Sequence, residues 1–317
     1  MKLATLILAQ AVVLAATAAE SPFAGDYYKP FDGKDCEIIW NAPTNQLPGS
    51  VKIWKVIPRT FSPGIVSNLL QIAGLKPSQH KRVDQGGVFA GKDVRFFGDR
   101  NDTHQLNLIP SQGFIVISRM DTRAQIPKEL PSGVPEPKTA LQLTFDILEK
   151  IGIDRSELAT NADGKIQAGY TQGEVIHKDK RTGLVVTNID ERQVFLKRQI
   201  DGIPVTGSTD GVNVHFGNEG KVGYMSVVWR AIKLERDCPV PDAAGFINRI
   251  KSGQDSIPTW AKGNHKSLTI TKISFSYWEY SGSESQRYIC PFAILEAKTD
   301  QPGENSQLQL FVWFARE

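Results

Sequence analysis

Five histidines, His80, His104, His177, His215 and His265, are the first residues to inspect for metal or general-base chemistry. No two of them stand two to four residues apart, so the helical or hairpin spacing that pre-arranges zinc ligands is missing. His215, between Val214 and Phe216, falls on the polar side of an expected strand and reads as a solvated histidine. Gly207-Ser-Thr-Asp-Gly211 has the wrong order for a nucleophile elbow and reads as a turn. Gly86-Gly-Val-Phe-Ala-Gly91 lacks the glycine spacing of a dinucleotide loop and the Lys-Ser/Thr of a phosphate loop. Cys36 has no nucleophile context and reads as a packed or unpaired thiol. Asp190 and Glu191 are adjacent, and neighbours on a strand point to opposite faces, so they are not expected to share a site. Acids that the fold alone brings together are invisible at this level, which leaves a glycosidase-type pair open. No catalytic residue, metal ligand or cofactor is assigned. The best contact surface is Phe275-Ser-Tyr-Trp-Glu-Tyr280, with Tyr277, Trp278 and Tyr280 as candidate binding residues. On a strand, Tyr277 lies with Phe275 while Trp278 and Tyr280 share the other face, which suits protein or sugar contact if the first face is core. The plainer reading buries both faces between packed units.

The chain that must position these residues has 317 of them, 37 Lys and Arg against 34 Asp and Glu, for a formal net charge of +3. That balance gives no electrostatic footprint for nucleic acid or a polybasic membrane contact. A hydrophobic share of 40% and a charged share of 22% are globular values and exclude a disordered tail. The first residues, MKLATLILAQAVVLAATAAE, combine Lys2, an apolar stretch from Leu3 to Ala16, and small residues to Ala19. This is the pattern of a signal peptide over 1–19, with an apolar run short of the roughly 20 residues that span a bilayer. The expectation is a secreted, extracellular protein with no integral membrane segment after signal removal. In that compartment Cys238 and Cys290 are expected to form a disulfide bond, leaving Cys36 free. Asn101-Asp102-Thr103 is a sequon in a polar turn, so Asn101 is a glycosylation candidate.

The elements divide into units of similar grammar. Residues 20–50 read as an extended N-terminal segment with a strand at Glu37 to Trp40. A first α+β module covers 51–126. Its strand at Val51 to Ile57 is followed by a helix with Ser62 as N-cap, Pro63 at its first position and Gly74 as its stop. Short β-rich runs at Val88 to Phe97, Gln105 to Ile109 and Phe114 to Ser118 complete it. A Pro-rich linker, Pro127 to Pro137, opens a second module over 127–236, with a helix from Lys138 to Ile151 and strands that include Val212 to Phe216 and Val222 to Trp229. The third module, 237–317, has a short helix stopped by Gly253 and strands at Leu268 to Trp278, Arg287 to Ala297 and Gln307 to Phe314. A change of apolar phase within Leu268–Trp278 predicts a β-bulge near Lys272. Helices leading into strands joined by short turns predict an α+β fold of repeated helix plus antiparallel sheet modules, two or three units.

The most specific segment is Val194-Phe-Leu-Lys-Arg-Gln-Ile-Asp-Gly-Ile-Pro-Val-Thr-Gly207, continued by Val212-Asn-Val-His-Phe-Gly-Asn-Glu-Gly-Lys-Val222. With the helix upstream, residues 137–232 resemble PepSY-type and fungalysin/thermolysin-propeptide modules, with Gly202, Pro204 and Gly207 as the module motif. The resemblance implies a non-enzymatic module that accompanies secreted peptidases as an inhibitory or chaperone-like prosegment. No His-Glu-x-x-His occurs and no protease domain is recognised in these residues, so the expectation is a role in trans rather than in cis. The expected function is therefore binding another secreted protein, a peptidase or other extracellular partner, without catalysis. Two readings stay open beside it: a secretory-pathway enzyme with a non-contiguous active site between modules, and a carbohydrate- or surface-binding protein.

Overall fold

The computed structural model describes residues 28–29, 31, 33–81, 93–101, 103–120, 133–178, 182–183, 185–207, 211–253, 255–258, 265–282, 284–300 and 307–314. The expected signal segment at 1–19, most of the linker expected from Pro127 and the Gly86–Gly91 loop lie outside these residues. Strands β1 (Tyr28–Lys29), β2 (Glu37–Trp40) and β3 (Ser50–Ile57) precede helix α1 (Pro63–Ile72). Strands β4 (His80–Lys81), β5 (Arg95–Gly98), β6 (His104–Ile109) and β7 (Phe114–Arg119) lead to helix α2 (Pro137–Lys150). Next come β8 (Ala168–Lys178), β9 (Val185–Leu196), β10 (Gln199–Ile200), β11 (Ile203–Gly207), β12 (Val212–Phe216), β13 (Val222–Val228) and β14 (Ala231–Pro239). Helix α3 (Ala243–Lys251) and strands β15 (Asp255–Pro258), β16 (Ser267–Glu279), β17 (Tyr288–Thr299) and β18 (Gln307–Trp313) close the chain.

Local chemistry sets the helix ends. The Ile65 N–H donates to Ser62 Oγ at 3.3 Å, and Pro63 occupies the first turn, where its missing N–H costs nothing. The Gly245 N–H likewise donates to Asp242 Oδ1 at 2.8 Å at the start of α3. Strand faces follow the two-residue period: Val212, Val214 and Phe216 of β12 are buried, while Asn213 and His215 face the other way.

Among the described residues, one sheet has eight strands in the order β4-β5-β6-β7-β13-β12-β9-β8 and curls into a half-barrel. Helices α1 and α2 cover one face of it, burying Leu69, Leu70, Ile147 and Leu148 against Leu106, Ile117, Val214 and Met225. Each such side chain contributes roughly 1.5–3 kcal/mol relative to exposure. The second sheet has ten strands, with a main path β1-β15-β18-β17-β16-β11-β10, to which β2, β3 and β14 attach. Helix α3 packs Phe246 and Ile250 onto it with Leu310 and Val312. The predicted bulge is present: the register shifts between Ile270 and Lys272 against β17.

The expected α+β fold of repeated modules is not what forms. The protein is mostly β, with 49% of the described residues in strands and three helices among them. What read as separate units join edge to edge, because β7 pairs with β13 in the half-barrel. The second sheet is also mixed, since β11 and β2 both run parallel to β16. The misreading has a physical cause. Local periodicity marks strands but not their partners, and β3 pairs with β14 and β17, far along the chain.

Cys238 and Cys290 correct a second expectation: no Cys238–Cys290 bridge forms, and no two of the three cysteines lie at disulfide distance. Cys238 lies on β14 opposite Val51 of β3, and β3 pairs with β17 on its other side. Two strand spacings are about 10 Å, beyond the roughly 7 Å limit between the Cα atoms of a disulfide. Burial pushes the Cys36 and Cys238 thiols up from their ordinary range, which keeps them protonated.

Candidate functional site

Three of the passages by which the chain moves between the two layers carry a buried arginine. Arg59 lies between β3 and α1, Arg198 between β9 and β10, and Arg230 between β13 and β14. Irregular backbone at such passages leaves carbonyls without a sheet partner, and a guanidinium fork can serve several at once. Arg230, 0% exposed, donates to the carbonyls of Tyr280 at 2.8 Å, Ser281 at 2.9 Å and Glu284 at 3.0 Å. Its Nη1 stands 3.3 Å from Glu279 Oε1. Arg198 donates to the Arg230 carbonyl at 2.8 Å and to Glu157 Oε2 at 2.9 Å, and lies over the Trp229 ring. The Trp229 indole N–H reaches the same Glu157 oxygen at 2.9 Å. Arg59 donates to the Ile151 carbonyl at 2.8 Å and, more weakly, to that of Trp229 at 3.4 Å.

Burial lowers the Arg59 guanidinium to about 10, reinforced by Arg198 and opposed by Glu157. Arg230 is also lowered by burial, with Glu279 pulling the other way. Beside these groups opens a cavity of about 610 Å³, within the size range of ligand pockets, lined by all three arginines. Trp54, Ile200 and Ile232 form its apolar side.

The sequence-flagged segments meet at the edge of this junction. Asp201 and Gly202 both have positive φ, +52° and +77°, and form the two-residue turn that joins β10 to β11. Pro204 is exposed on β11. Gly207 lies against Glu279 so closely that a Cβ would stand 1.8 Å from the Glu279 carbonyl oxygen. Strand β11 therefore lies directly beside the aromatic segment, with Val205 opposite Tyr277 and Thr206 opposite Trp278. Tyr277 is core, packed with Ile200, Val205 and Ile289. Trp278 is half-buried, edge-on to Phe292, and Tyr280 is half-buried as well. The three arginines were not singled out by the sequence reading. Isolated basic residues carry no local signal of burial.

A second surface lies at the far edge of the half-barrel. Strand β8 pairs with β9 alone among the described residues, leaving one side of an eleven-residue strand open. Tyr170 is exposed on it, and Ile176 is 67% exposed. Long, apolar and unpaired edges are the kind that natural sheets usually cover.

The adjacent acids Asp190 and Glu191 also behave differently from expectation. The register of β8 against β9 shifts between Gly173 and Glu174, so Asp190 is the extra residue of a β-bulge. A Cβ on Gly173 would lie 2.5 Å from Asp190 Oδ1 and 3.3 Å from Glu191 Cβ, so both acids approach the same face. Glu191 Oε2 stands 3.1 Å from His215 Nδ1, which makes His215 a paired and largely buried residue rather than a solvated one. Among the described residues no group of three or more His, Cys, Asp or Glu is placed to hold a metal ion. No described helix is long and apolar enough to cross a membrane.

Asn101 is exposed in the turn between β5 and β6. The hydroxyl of its sequon partner Thr103 donates to Asp99 Oδ2, and His104 Nδ1 lies 3.0 Å from the same oxygen. The Thr103 bond, with His104, holds the Asp99 carboxyl well below the usual range. A carboxyl depressed in this way gives its full stabilisation above its unfolded pKa, and that stabilisation fades as the pH falls through the folded one. Thr103→Val should therefore move the Asp99 titration up toward its ordinary range. Carboxyl chemical shifts followed against pH check this, and an unmoved midpoint would refute it.

No family model matches the chain, and no curated protein matches it. Among solved structures, it is similar to an uncharacterized protein from Eubacterium rectale, with 11% identity and a TM-score of 0.46 over 87% of this chain and 86% of that one. It is also similar to the C-terminal domain of Bacillus megaterium YpeB, with 10% identity and a TM-score of 0.33 over 82% of this chain and 98% of that one.

Proposed function

We propose that the protein is a secreted, non-catalytic binding protein that takes an extended segment of another secreted protein as an added strand on β8. The free edge of β8 carries this reading. Among the described residues, the outer side of this eleven-residue strand, about 35 Å long, pairs with no other strand. Tyr170 and Ile176 stand exposed beside it to contact the incoming side chains. In strand addition the main-chain hydrogen bonds give affinity and the alternate side chains give selectivity. The PepSY-like character assigned to residues 137–232 from their motif agrees with this role, since such modules bind peptidases as inhibitors or folding assistants. Acting in trans, the protein would hold a secreted peptidase in the same manner. The secreted location rests on the character of residues 1–19.

The test is capture from the producing organism's culture medium with the mature protein, alongside a Tyr170→Lys/Ile176→Lys variant. Lysine on an edge strand opposes pairing without touching the core. The expected result is one peptidase recovered near one-to-one by the native chain and lost by the variant, with slowed amide exchange across 168–178 in the complex. Equal recovery by both chains, or unchanged exchange in β8, would overturn strand addition.

A further inference from the structure

The cavity at the junction of the layers is lined by a buried cation that stands outside the ion pairs around it. The guanidinium groups of Arg198 and Arg230 lie among three carboxylates, Glu157, Glu279 and the exposed Glu284. Asp201, also at the cavity, is engaged by Lys52 at 2.6 Å. Arg59 is in no such pair. Among the described residues Arg59 has no carboxylate partner, and only two acceptors, both backbone carbonyls, meet its five N–H groups. A buried cation without a counter-ion is costly, and an anion in the adjoining space would relieve it. Among the described residues the buried Nε atoms of Arg198 and Arg230 lack acceptors, and Glu279 Oε1 beside them lacks a hydrogen-bond donor.

The geometry points to this cavity as a binding site for a monoanionic carboxylate on a compact apolar body, with the charge beside Arg59 and the body against Trp54, Ile200 and Ile232. A carboxylate matches the flat guanidinium fork and the single charge of Arg59. A phosphate dianion would bring a second negative charge toward the Glu157 carboxylate, which also lines the cavity. The carboxylate could belong to a free small acid or to the C-terminus of a peptide, and the group recognised is the same.

The test uses hippurate, hippuramide and inorganic phosphate as probes of the intact mature protein, read by calorimetry and tryptophan fluorescence. Hippurate is expected to saturate with a Kd of about 1 mM or lower. Hippuramide should bind at least tenfold more weakly, and phosphate should not compete. A hippurylated short peptide amide, lacking the free carboxylate, should fail, whereas the corresponding peptide acid binding better than hippurate would favour a chain terminus over a small acid. Arg59→Met should weaken hippurate at least tenfold, with Arg59→Lys intermediate. Should Arg59→Met fail to fold, Ile232→Trp at the rim is expected to abolish binding by filling the apolar side. The inference is overturned by hippuramide binding as tightly as hippurate, by phosphate binding more tightly, by no saturation up to about 10 mM, or by hippurate binding that survives Ile232→Trp. The Tyr170→Lys/Ile176→Lys chain should bind hippurate normally, so this site and the β8 edge stand or fall separately.

Discussion

Replacing Arg230 with methionine is expected to remove about 3–5 kcal/mol of folding stability, the range seen when one partner of a buried ion pair is lost. Against a typical total of about 5–15 kcal/mol, that is a large fraction. The change keeps much of the side-chain volume but strands Glu279, which is 4% exposed, without its nearest cation. It also removes the guanidinium fork that gathers the carbonyls of Tyr280, Ser281 and Glu284. Lysine would not repair this, because one ammonium cannot span three carbonyls and a carboxylate in a fixed plane. Adding Glu279→Gln to Arg230→Met should recover part of the loss, since the remaining buried charge is then neutral. Urea unfolding of the single and double variants measures both effects. A single-variant loss below about 1 kcal/mol would show that the junction does not depend on Arg230.

Gly207→Ala should be nearly as damaging, for a steric reason. The added Cβ would meet backbone on the neighbouring strand, 1.8 Å from the Glu279 oxygen and 2.8 Å from its carbon. No rotamer change can relieve a clash between two main chains, so β11 must move off β16. The expected cost is about 3 kcal/mol or more, at the upper end of overpacking effects. Gly202→Ala provides the contrast. Nothing lies within 4 Å of its Cβ position, and only the positive φ of +77° is strained. That should cost about 1 kcal/mol. Thermal unfolding of the pair separates close approach from backbone conformation, and similar losses at both glycines would refute the assignment.

The elements with local signatures were legible in the sequence. Ser62-Pro63 at the start of α1, Gly253 past the end of α3 and the bulge beside Lys272 each follow from a few neighbouring residues. The strand Glu37–Trp40 was visible at its observed bounds. Strand β14 was not, because Ala231–Pro239 alternates charge with solvent and buries little. Its order comes from pairing with β3, a contact set by distant residues. The same limit hid the arginine junction, where Arg59, Arg198 and Arg230 are separated by long stretches of chain. Gly207 and the aromatic segment each stand out in the sequence, but their adjacency depends on a parallel pairing that no local pattern encodes. Asp190 and Glu191 stand out as adjacent acids, and one extra residue in β9 reverses the facing that strand alternation predicts for them.

The placement of β3 has a consequence for how the chain is made. The half-barrel draws its strands from β4 through β13, so it can close once residue 228 has been synthesised. Strand β3 emerges earlier but pairs with β14 and β17, the latter beginning at Tyr288. At about 5–20 residues per second, the ribosome leaves β3 without β17 for roughly 10–50 s. Until β14 is made, Val51 and Ile53, both buried in the finished protein, have no strand to pair with, and until β17 follows the pair lacks its second neighbour. Vectorial synthesis therefore assembles this molecule from the middle outward, and its first strands are among the last to find their places.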